Sequence, residues 1–190
     1  MTSKFNVKKG KTQWEAKVFS ESGEEVAEIR KGESPEFKLL SKKDNREWML
    51  TNRIDGEHRR FSLSVIEAGN EERRGKNALL TIRDNIFEHN GKFYMLASHP
   101  EGKSWHNYVH SSVRYISRLD GFPYSDVSEM AEYKHHQSLR QKLKRFRGVP
   151  VGEAFGLGAA PGGHNVKVND ELDDIGLFLA ASSYLMYASA

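Results

Sequence analysis

The chain has 190 residues, of which 37% are hydrophobic and 29% charged, and it contains no cysteine. This composition predicts one domain with its own core and excludes a disulfide, a thiolate metal site and a thiol nucleophile. The 29 lysines and arginines against 26 aspartates and glutamates give a net charge of +3, which permits an anionic partner without requiring one. The opening MTSKFNVKKGKTQW has no apolar run of the signal-peptide kind, so we expect a cytoplasmic protein.

Turn signals divide the first 120 residues into short segments. They include Ser22-Gly23, Asp44-Asn45, Asp55-Gly56 and Asn90-Gly91, of which the last two are the strongest. Asn-Gly and Asp-Gly pairs suit a type I′ hairpin, because both of its central residues need positive φ. Between the turns, segments such as WEAKVFS and RFSLSVI alternate apolar and polar residues. We therefore predict at least eight strands by Leu119, paired sequentially and antiparallel.

The pattern changes after Pro123. Capping-box spacings predict two short helices, at about 127–136 and 139–147. The second helix carries an apolar stripe of Leu139, Leu143 and Phe146, spaced by four and three residues. Glycines and prolines then predict a loop from 148 to 163. We therefore predict a single domain, residues 1–190, in three parts. Residues 1–120 form a β-meander, residues 125–163 form an insertion that is helical at about 125–147 and then glycine-rich, and residues 164–190 form the last strand and the closing helix.

The last elements are one more strand, HNVKV, and a closing helix with Asp170 as its N-cap. From Ile175 to Ala190, serines 182, 183 and 189 are the residues without an apolar or aromatic side chain, apart from one glycine. A helix that is apolar on every side either spans a membrane or lies buried in protein. This stretch covers about 24 Å, short of the roughly 30 Å hydrocarbon core, so we predict no transmembrane span. A surface completed by a partner is the other alternative to burial.

A closed barrel of strands can surround a single helix, and closure also removes exposed strand edges. The predicted fold class is therefore mainly β, a closed antiparallel β-barrel around a buried, hydrophobic C-terminal helix. The hydroxyls of Ser182, Ser183, Tyr184 and Tyr187 would need hydrogen-bond partners on strand positions that face the inside.

This arrangement is similar to the tubby-like superfamily, which comprises the tubby C-terminal domain, the phospholipid scramblases and the LURP-one-related proteins. The matching pieces are VFSESGEEVAEI, which reads as strand, glycine turn and strand, the repeated short hairpins, and DDIGLFLAASSYLMYASA as a central helix. The resemblance implies a barrel closed around that helix, and it covers most of the chain. This chain departs from the tubby-like pattern at residues 125–163, an insertion that a minimal barrel of this kind would not need. Some tubby-like domains bind phosphoinositides and scramblases act on lipids, so the resemblance implies a lipid-related role.

Basic side chains provide the candidate ligand site. The run KHHQSLRQKLKRFR contains six positive charges and no negative one, and two smaller clusters accompany predicted turns. The predicted anion-binding residues are Lys134, Arg140, Lys142, Lys144, Arg145, Arg147, Arg59, Arg60, Arg73 and Arg74. Such a patch can hold lipid phosphates or nucleic acid through non-specific electrostatics. The alternative is a solvated helix face without a ligand.

Histidines and glycines provide weaker candidates. His106 and His110, with His99 nearby, are possible metal ligands, but HNYVH is not the HExxH arrangement and lies in a predicted strand, so we predict ordinary histidines. GLGAAPGG has Pro161 where a dinucleotide fingerprint needs glycine, and His164 follows where a P-loop needs lysine. We predict no cofactor.

These observations favour a non-catalytic domain that binds anionic ligands, phospholipid headgroups first among them, from the cytoplasm or the membrane periphery. An enzyme is the alternative, with a pocket near His99, His106, His110 and the glycine-rich loop. A protein–protein interaction module is the third hypothesis, and nucleic acid is a weaker candidate partner.

Overall fold

The computed structural model describes residues 2–12, 14–33, 36–55, 60–67, 78–83, 85–97, 113–120, 147–155 and 163–188. The strands in these residues are Ser3–Lys9 (β1), Ala16–Ser20 (β2), Glu25–Lys31 (β3), Glu36–Ser41 (β4), Glu47–Asp55 (β5), Arg60–Glu67 (β6), Leu80–Arg83 (β7), Ile86–His89 (β8), Lys92–Ala97 (β9), Val113–Asp120 (β10), Arg147–Phe155 (β11) and His164–Val168 (β12). Each pairs antiparallel with its sequence neighbours, and β12 pairs back with β1, so the sheet is a closed barrel.

A short 3-10 helix, Asp170–Ile175, follows β12 and leads into the α-helix Gly176–Ala188 (α1). Residues 179–185 of α1 are all buried. The apolar ones, Leu179, Ala180, Ala181, Tyr184 and Leu185, belong to one core cluster with the inward side chains of the strands. The prediction of a barrel around a buried C-terminal helix is confirmed. The predicted N-cap is wrong by one residue. Asn169, in an extended conformation, accepts a hydrogen bond from the backbone N–H of Glu171 at 3.2 Å, so Asn169 and not Asp170 caps the 3-10 helix.

The hairpin turns follow the sequence signals. Asn90 and Gly91 have φ of 50° and 71°, as a type I′ turn between β8 and β9 requires. Gly23 and Asn45 also have positive φ in the predicted turns. Asn85 does too, at 66°, and it lies in the short connection between β7 and β8. The described part of the chain contains ten strands up to Asp120, in agreement with the expected minimum of eight.

Residues 147–155 correct the sequence interpretation. We expected a helix to Arg147 and then a loop, whereas Arg147–Phe155 is β11, a full member of the barrel. Pro150 lies at a register shift opposite Ser117, where a missing N–H is tolerated. Gly152 allows the backbone of β12 to approach, since a Cβ there would lie 2.4 Å from the Lys167 carbonyl oxygen. The glycine and proline that suggested a loop are therefore adaptations of a strand.

The barrel has two distinguishable ends. The 3-10 helix follows the last residue of β12, and we call this side the entry end because α1 enters the barrel here. Since neighbouring strands are antiparallel, odd-numbered strands begin at the entry end and even-numbered strands finish there. Trp48, near the start of β5, meets Phe178 of α1, and His164, at the start of β12, meets Ser183. The helix thus runs from the entry end to the opposite end, which we call the exit end.

Candidate functional site

A groove of about 530 Å³ runs along the outer surface of β2, β1, β12 and β11. Its lining residues are Lys4, Phe5, Asn6, Ser20, Glu21, Glu153, Asn165, Val166 and Lys167. Alternation along β1 and β12 turns the lysine and asparagine side chains outward and the apolar ones toward the core. The floor of the groove is therefore a row of polar groups on rigid, paired strands.

Two lysines lie side by side in this groove. Lys4 and Lys167 are direct partners in the register between β1 and β12. Like charges placed directly opposite on neighbouring strands are destabilising, so the fold carries a local cost at this position. Glu21 forms an ion pair with Lys4, and Glu153 is opposite Lys167 in the register of β11. These carboxylates moderate the repulsion, while both ammonium groups stay at the surface.

The next outward row consists of amides. Asn6 is opposite Asn165, and its Nδ2 donates a hydrogen bond to the Asn165 Oδ1 at 2.7 Å. The Asn165 Nδ2 in turn approaches the Gly163 carbonyl at 3.4 Å. These contacts fix the amide orientation between the lysine pair and the exit end. Fixed amides next to ammonium groups suit an anion with several oxygen acceptors.

A second lysine pair continues the face beyond the amides. Lys8 and Lys17 are register partners on β1 and β2. Lys17 bonds to Glu25 at 2.8 Å, and this carboxylate raises the pKa of the Lys17 ammonium. Lys8 lies over the Phe19 ring at 5.1 Å. We refer to Lys4, Lys8, Lys17 and Lys167, with Asn6 and Asn165, as the lysine face.

Acidic residues of the 3-10 helix close the entry end. Glu171 accepts hydrogen bonds from Arg118 Nη1 at 3.1 Å and from the Tyr94 hydroxyl at 3.0 Å. Asn169 adds a further bond at 3.2 Å. Burial disfavours the charged carboxylate, but these donors prevail, and the pKa of Glu171 is lowered. Burial, with Glu171 beside it, raises the pKa of the Tyr94 hydroxyl.

The two following aspartates are also engaged. Asp174 contacts His89 Nε2 at 2.9 Å, and the Ser3 hydroxyl donates to Asp173. The acidic run therefore ties the start of the helix to β1, β8, β9 and β10 at the entry end. These contacts give the acidic residues a structural role, which is to hold the 3-10 helix across the entry end of the barrel.

A serine and a histidine meet at the exit end. His164 Nε2 lies 2.7 Å from Ser183 Oγ, and the hydroxyl is also 3.2 Å from the Ala180 carbonyl. The pair is reminiscent of a nucleophile and its base. Both residues are nevertheless buried, at 1% and 2% exposure, beside the ring of Tyr184. The contact joins β12 to α1, as the sequence predicted for Ser183, and it offers a substrate no access through the described residues.

The other predicted hydroxyl contacts have mixed outcomes. Ser182 Oγ is buried without a hydrogen-bond partner among the described residues, contrary to our expectation. An unpaired buried hydroxyl costs about 1–3 kcal/mol, and no described residue compensates Ser182. The Tyr187 side chain lies outside the described residues.

The basic residues predicted from the sequence lie almost entirely outside the described residues. Arg60 begins β6 at the exit end and Arg147 begins β11 at the entry end, and neither side chain is described. His99, His106, His110 and residues 156–162 of the predicted glycine-rich loop lie outside the described residues. The described residues include no group of three His, Asp or Glu placed to hold a metal ion. They also include no helix long and apolar enough to cross a bilayer.

Sequence reasoning missed the lysine face. The signal was present, because Lys4, Asn6 and Lys8 alternate with apolar residues in KFNVK, and HNVKV repeats the NVK triplet. The alternation could have shown which side chains turn outward. The pairing of the first strand with the last, which places Lys4 beside Lys167, could not be obtained from either segment alone.

Comparison of the chain with protein-family models, with curated proteins and with solved structures finds no match. The fold and the surface chemistry therefore carry the functional argument.

Proposed function

We propose that the protein is a non-catalytic, tubby-like barrel domain that binds anionic ligands, with phospholipid headgroups as the first candidate, through a basic surface. The observation that carries this proposal is the side-by-side placement of Lys4 and Lys167 in an outer groove with fixed amides. Glu21 and Glu153 offset part of the repulsion between the two ammonium groups, and an anion bound between the lysines would offset more of it.

A membrane surface fits this chemistry because the lysine face is on the outside of a rigid wall. Each lysine or arginine close to an anionic leaflet contributes about 1 kcal/mol of binding free energy, and the contribution falls as salt screens it. The basic run at 134–147 is a second source of the same attraction, and its six charges add to those of the lysine face. The domain would then associate with the membrane peripherally.

The test is flotation with phosphatidylserine–phosphatidylcholine vesicles and with phosphatidylcholine vesicles, in a salt series. We expect salt-sensitive binding to the anionic vesicles alone. Changing Lys4→Gln and Lys167→Gln together should weaken this binding about tenfold or more, as the loss of two membrane-facing charges implies. The matched control is Lys31→Gln with Lys43→Gln, which removes two charges from exposed positions at the end of β3 and in the β4–β5 turn.

The outcomes separate the ligand classes. Equal binding by both double variants would show that the lysine face has no special role. A variant with Arg140→Glu, Lys144→Glu, Arg145→Glu and Arg147→Glu then tests whether the basic run acts instead. Competition by soluble glycerophosphoserine would assign recognition to the headgroup, whereas competition by inorganic phosphate alone would indicate a free anion. No binding by the unmodified chain at low salt would overturn the lipid proposal.

A further inference from the structure

Six buried apolar residues do not belong to the core that surrounds α1. Met49, Ile66, Ile86, Phe93, Met95 and Leu119 are at most 6% exposed, yet they are absent from the core cluster. Their strand neighbours explain this. Phe87, Tyr94, Leu96 and Ile116 belong to the core, so the alternation of side chains turns Ile86, Phe93, Met95 and Leu119 to the outside of the barrel.

Four of these residues form one continuous patch. Ile86 is the register partner of Met95, and Met95 is the partner of Ser117, which is itself fully buried. Phe93 and Leu119 each lie two residues nearer the entry end on β9 and β10. We call Ile86, Phe93, Met95 and Leu119 the outer apolar face. It spans three strands, or about 10 Å, which is the width of one helix.

This face requires a covering layer. A single layer of strands leaves its outward side chains open to water unless something packs on them. Among the described elements, α1 is inside the barrel and the 3-10 helix closes one end, so neither covers the outside. None of the described elements therefore supplies the covering layer.

The geometry points to the segment between β10 and β11, residues 121–146, as the occupant. We propose that its predicted second helix docks on the outer apolar face through Leu139, Leu143 and Phe146. Both ends of the segment are fixed at the edge of that face, because Asp120 pairs with Arg147, and Leu119 pairs with the buried Gly148. The three stripe residues match a patch one helix wide.

Docking through the stripe would determine which basic side chains of the predicted helix face solvent. At about 100° per residue, Lys144 and Arg145 fall on the side of the helix away from the stripe, and Arg140 lies at the flank of the stripe. With the stripe on the barrel, Lys144 and Arg145 would face solvent. This inference stands apart from lipid binding, and its test uses no ligand.

The absence of native cysteine makes a single introduced thiol a clean reporter. With Met95→Cys in an otherwise unchanged chain, we expect the thiol to be protected from maleimide. Adding Leu139→Asp, Leu143→Asp and Phe146→Asp should accelerate labelling at least about tenfold, as loss of the cover raises the open fraction. The matched control adds Gln137→Asp, Ser138→Asp and Gln141→Asp, which introduces the same charge on the opposite side and should leave the thiol protected.

Two results would overturn the proposal. Unchanged protection in a folded stripe variant would show that the stripe is not the cover. Release of the thiol by Trp105→Asp with Val109→Asp, but not by the stripe variant, would assign the face to residues 98–112. If the stripe variant loses its cooperative unfolding transition, bismaleimide cross-linking decides. Phe93→Cys should cross-link to Leu143→Cys, whereas Lys38→Cys on the remote strand β4 should not, and absence of the first cross-link would contradict docking.

Discussion

At the scale of single residues, Glu171 is the most densely bonded carboxylate among the described residues. It joins the 3-10 helix to Arg118 on β10 and to Tyr94 on β9, and it also accepts a hydrogen bond from the Asn169 side-chain amide. The charged form is the one that these donors stabilise, so the pKa of Glu171 lies below its ordinary value. The network fixes the point at which the helix enters the barrel.

This network predicts a pH dependence of folding. Because the folded pKa of Glu171 is below the unfolded value, its contribution is fully present above about pH 4.5 and is lost as pH falls through the folded pKa. Glu171→Gln should lower the free energy of unfolding at neutral pH and flatten its decline below pH 4.5, measured by urea unfolding across pH. Glu33→Gln, an exposed position in the β3–β4 turn, should keep the full acid dependence. A parallel loss in both variants would assign the effect to net charge.

At the scale of elements, the sequence specified those parts whose signals are local. The turn at Asn90-Gly91 needs positive φ at both residues, and asparagine and glycine are the residue types that adopt it readily. The burial of α1 followed from its lack of a polar side. We missed strand β11 because glycine and proline usually indicate a loop, whereas here contacts with distant strands explain both residues. Gly152 leaves room for the Lys167 carbonyl of β12, and Pro150 lies at the register shift opposite Ser117 of β10.

The same reasoning applies to the candidate site. The alternation of β1 contains enough information to predict which lysines turn outward, although we missed it, but their pairing with β12 depends on barrel closure. The outer apolar face was also hidden, since Phe93-Tyr94-Met95-Leu96 reads as a continuous apolar run with no evident inside and outside. A sequence predicts local geometry well where one residue decides it, and poorly where a partner far along the chain does.

Gly152→Ala tests the explanation of β11. Its Cβ would lie 2.4 Å from the Lys167 carbonyl oxygen and 3.2 Å from Ile116 Cδ1, so β11 and β12 must separate. We expect a loss of about 1–3 kcal/mol in the free energy of unfolding, as for other overpacked sites. In Gly32→Ala, where the nearest atom would be 3.3 Å away, the change should stay within about 0.5 kcal/mol. Thermal unfolding of both proteins measures the difference, and equal stability would show that β11 tolerates a side chain here.

At the scale of the whole molecule, the helix is the filling of the barrel. Leu179, Tyr184 and Leu185 lie among inward side chains from many strands. Each buried side chain of this size contributes about 1.5–3 kcal/mol, and a domain is stable by only about 5–15 kcal/mol. The barrel therefore depends on α1 for its stability as well as its shape.

A chain that ends at Asn169 should lose its cooperative thermal transition and expose apolar surface to a hydrophobic dye. A chain that ends at Ala188 retains all of α1 and should unfold as the complete chain does. Calorimetry with dye binding distinguishes the two cases. A cooperative transition in the shorter chain would mean that the strands pack against one another without the helix.

The pairing of β1 with β12 has a consequence for folding during translation. Ribosomes add about 5–20 residues per second, so at least several seconds separate the emergence of these two strands. Throughout that time the nascent sheet is an open ribbon with two unpaired edges and no filling, because α1 is made after β12. We therefore expect such a polypeptide to benefit from a holdase during translation. Its yield in a cell should therefore respond more to growth temperature and chaperone supply than the equilibrium stability of the finished barrel would suggest.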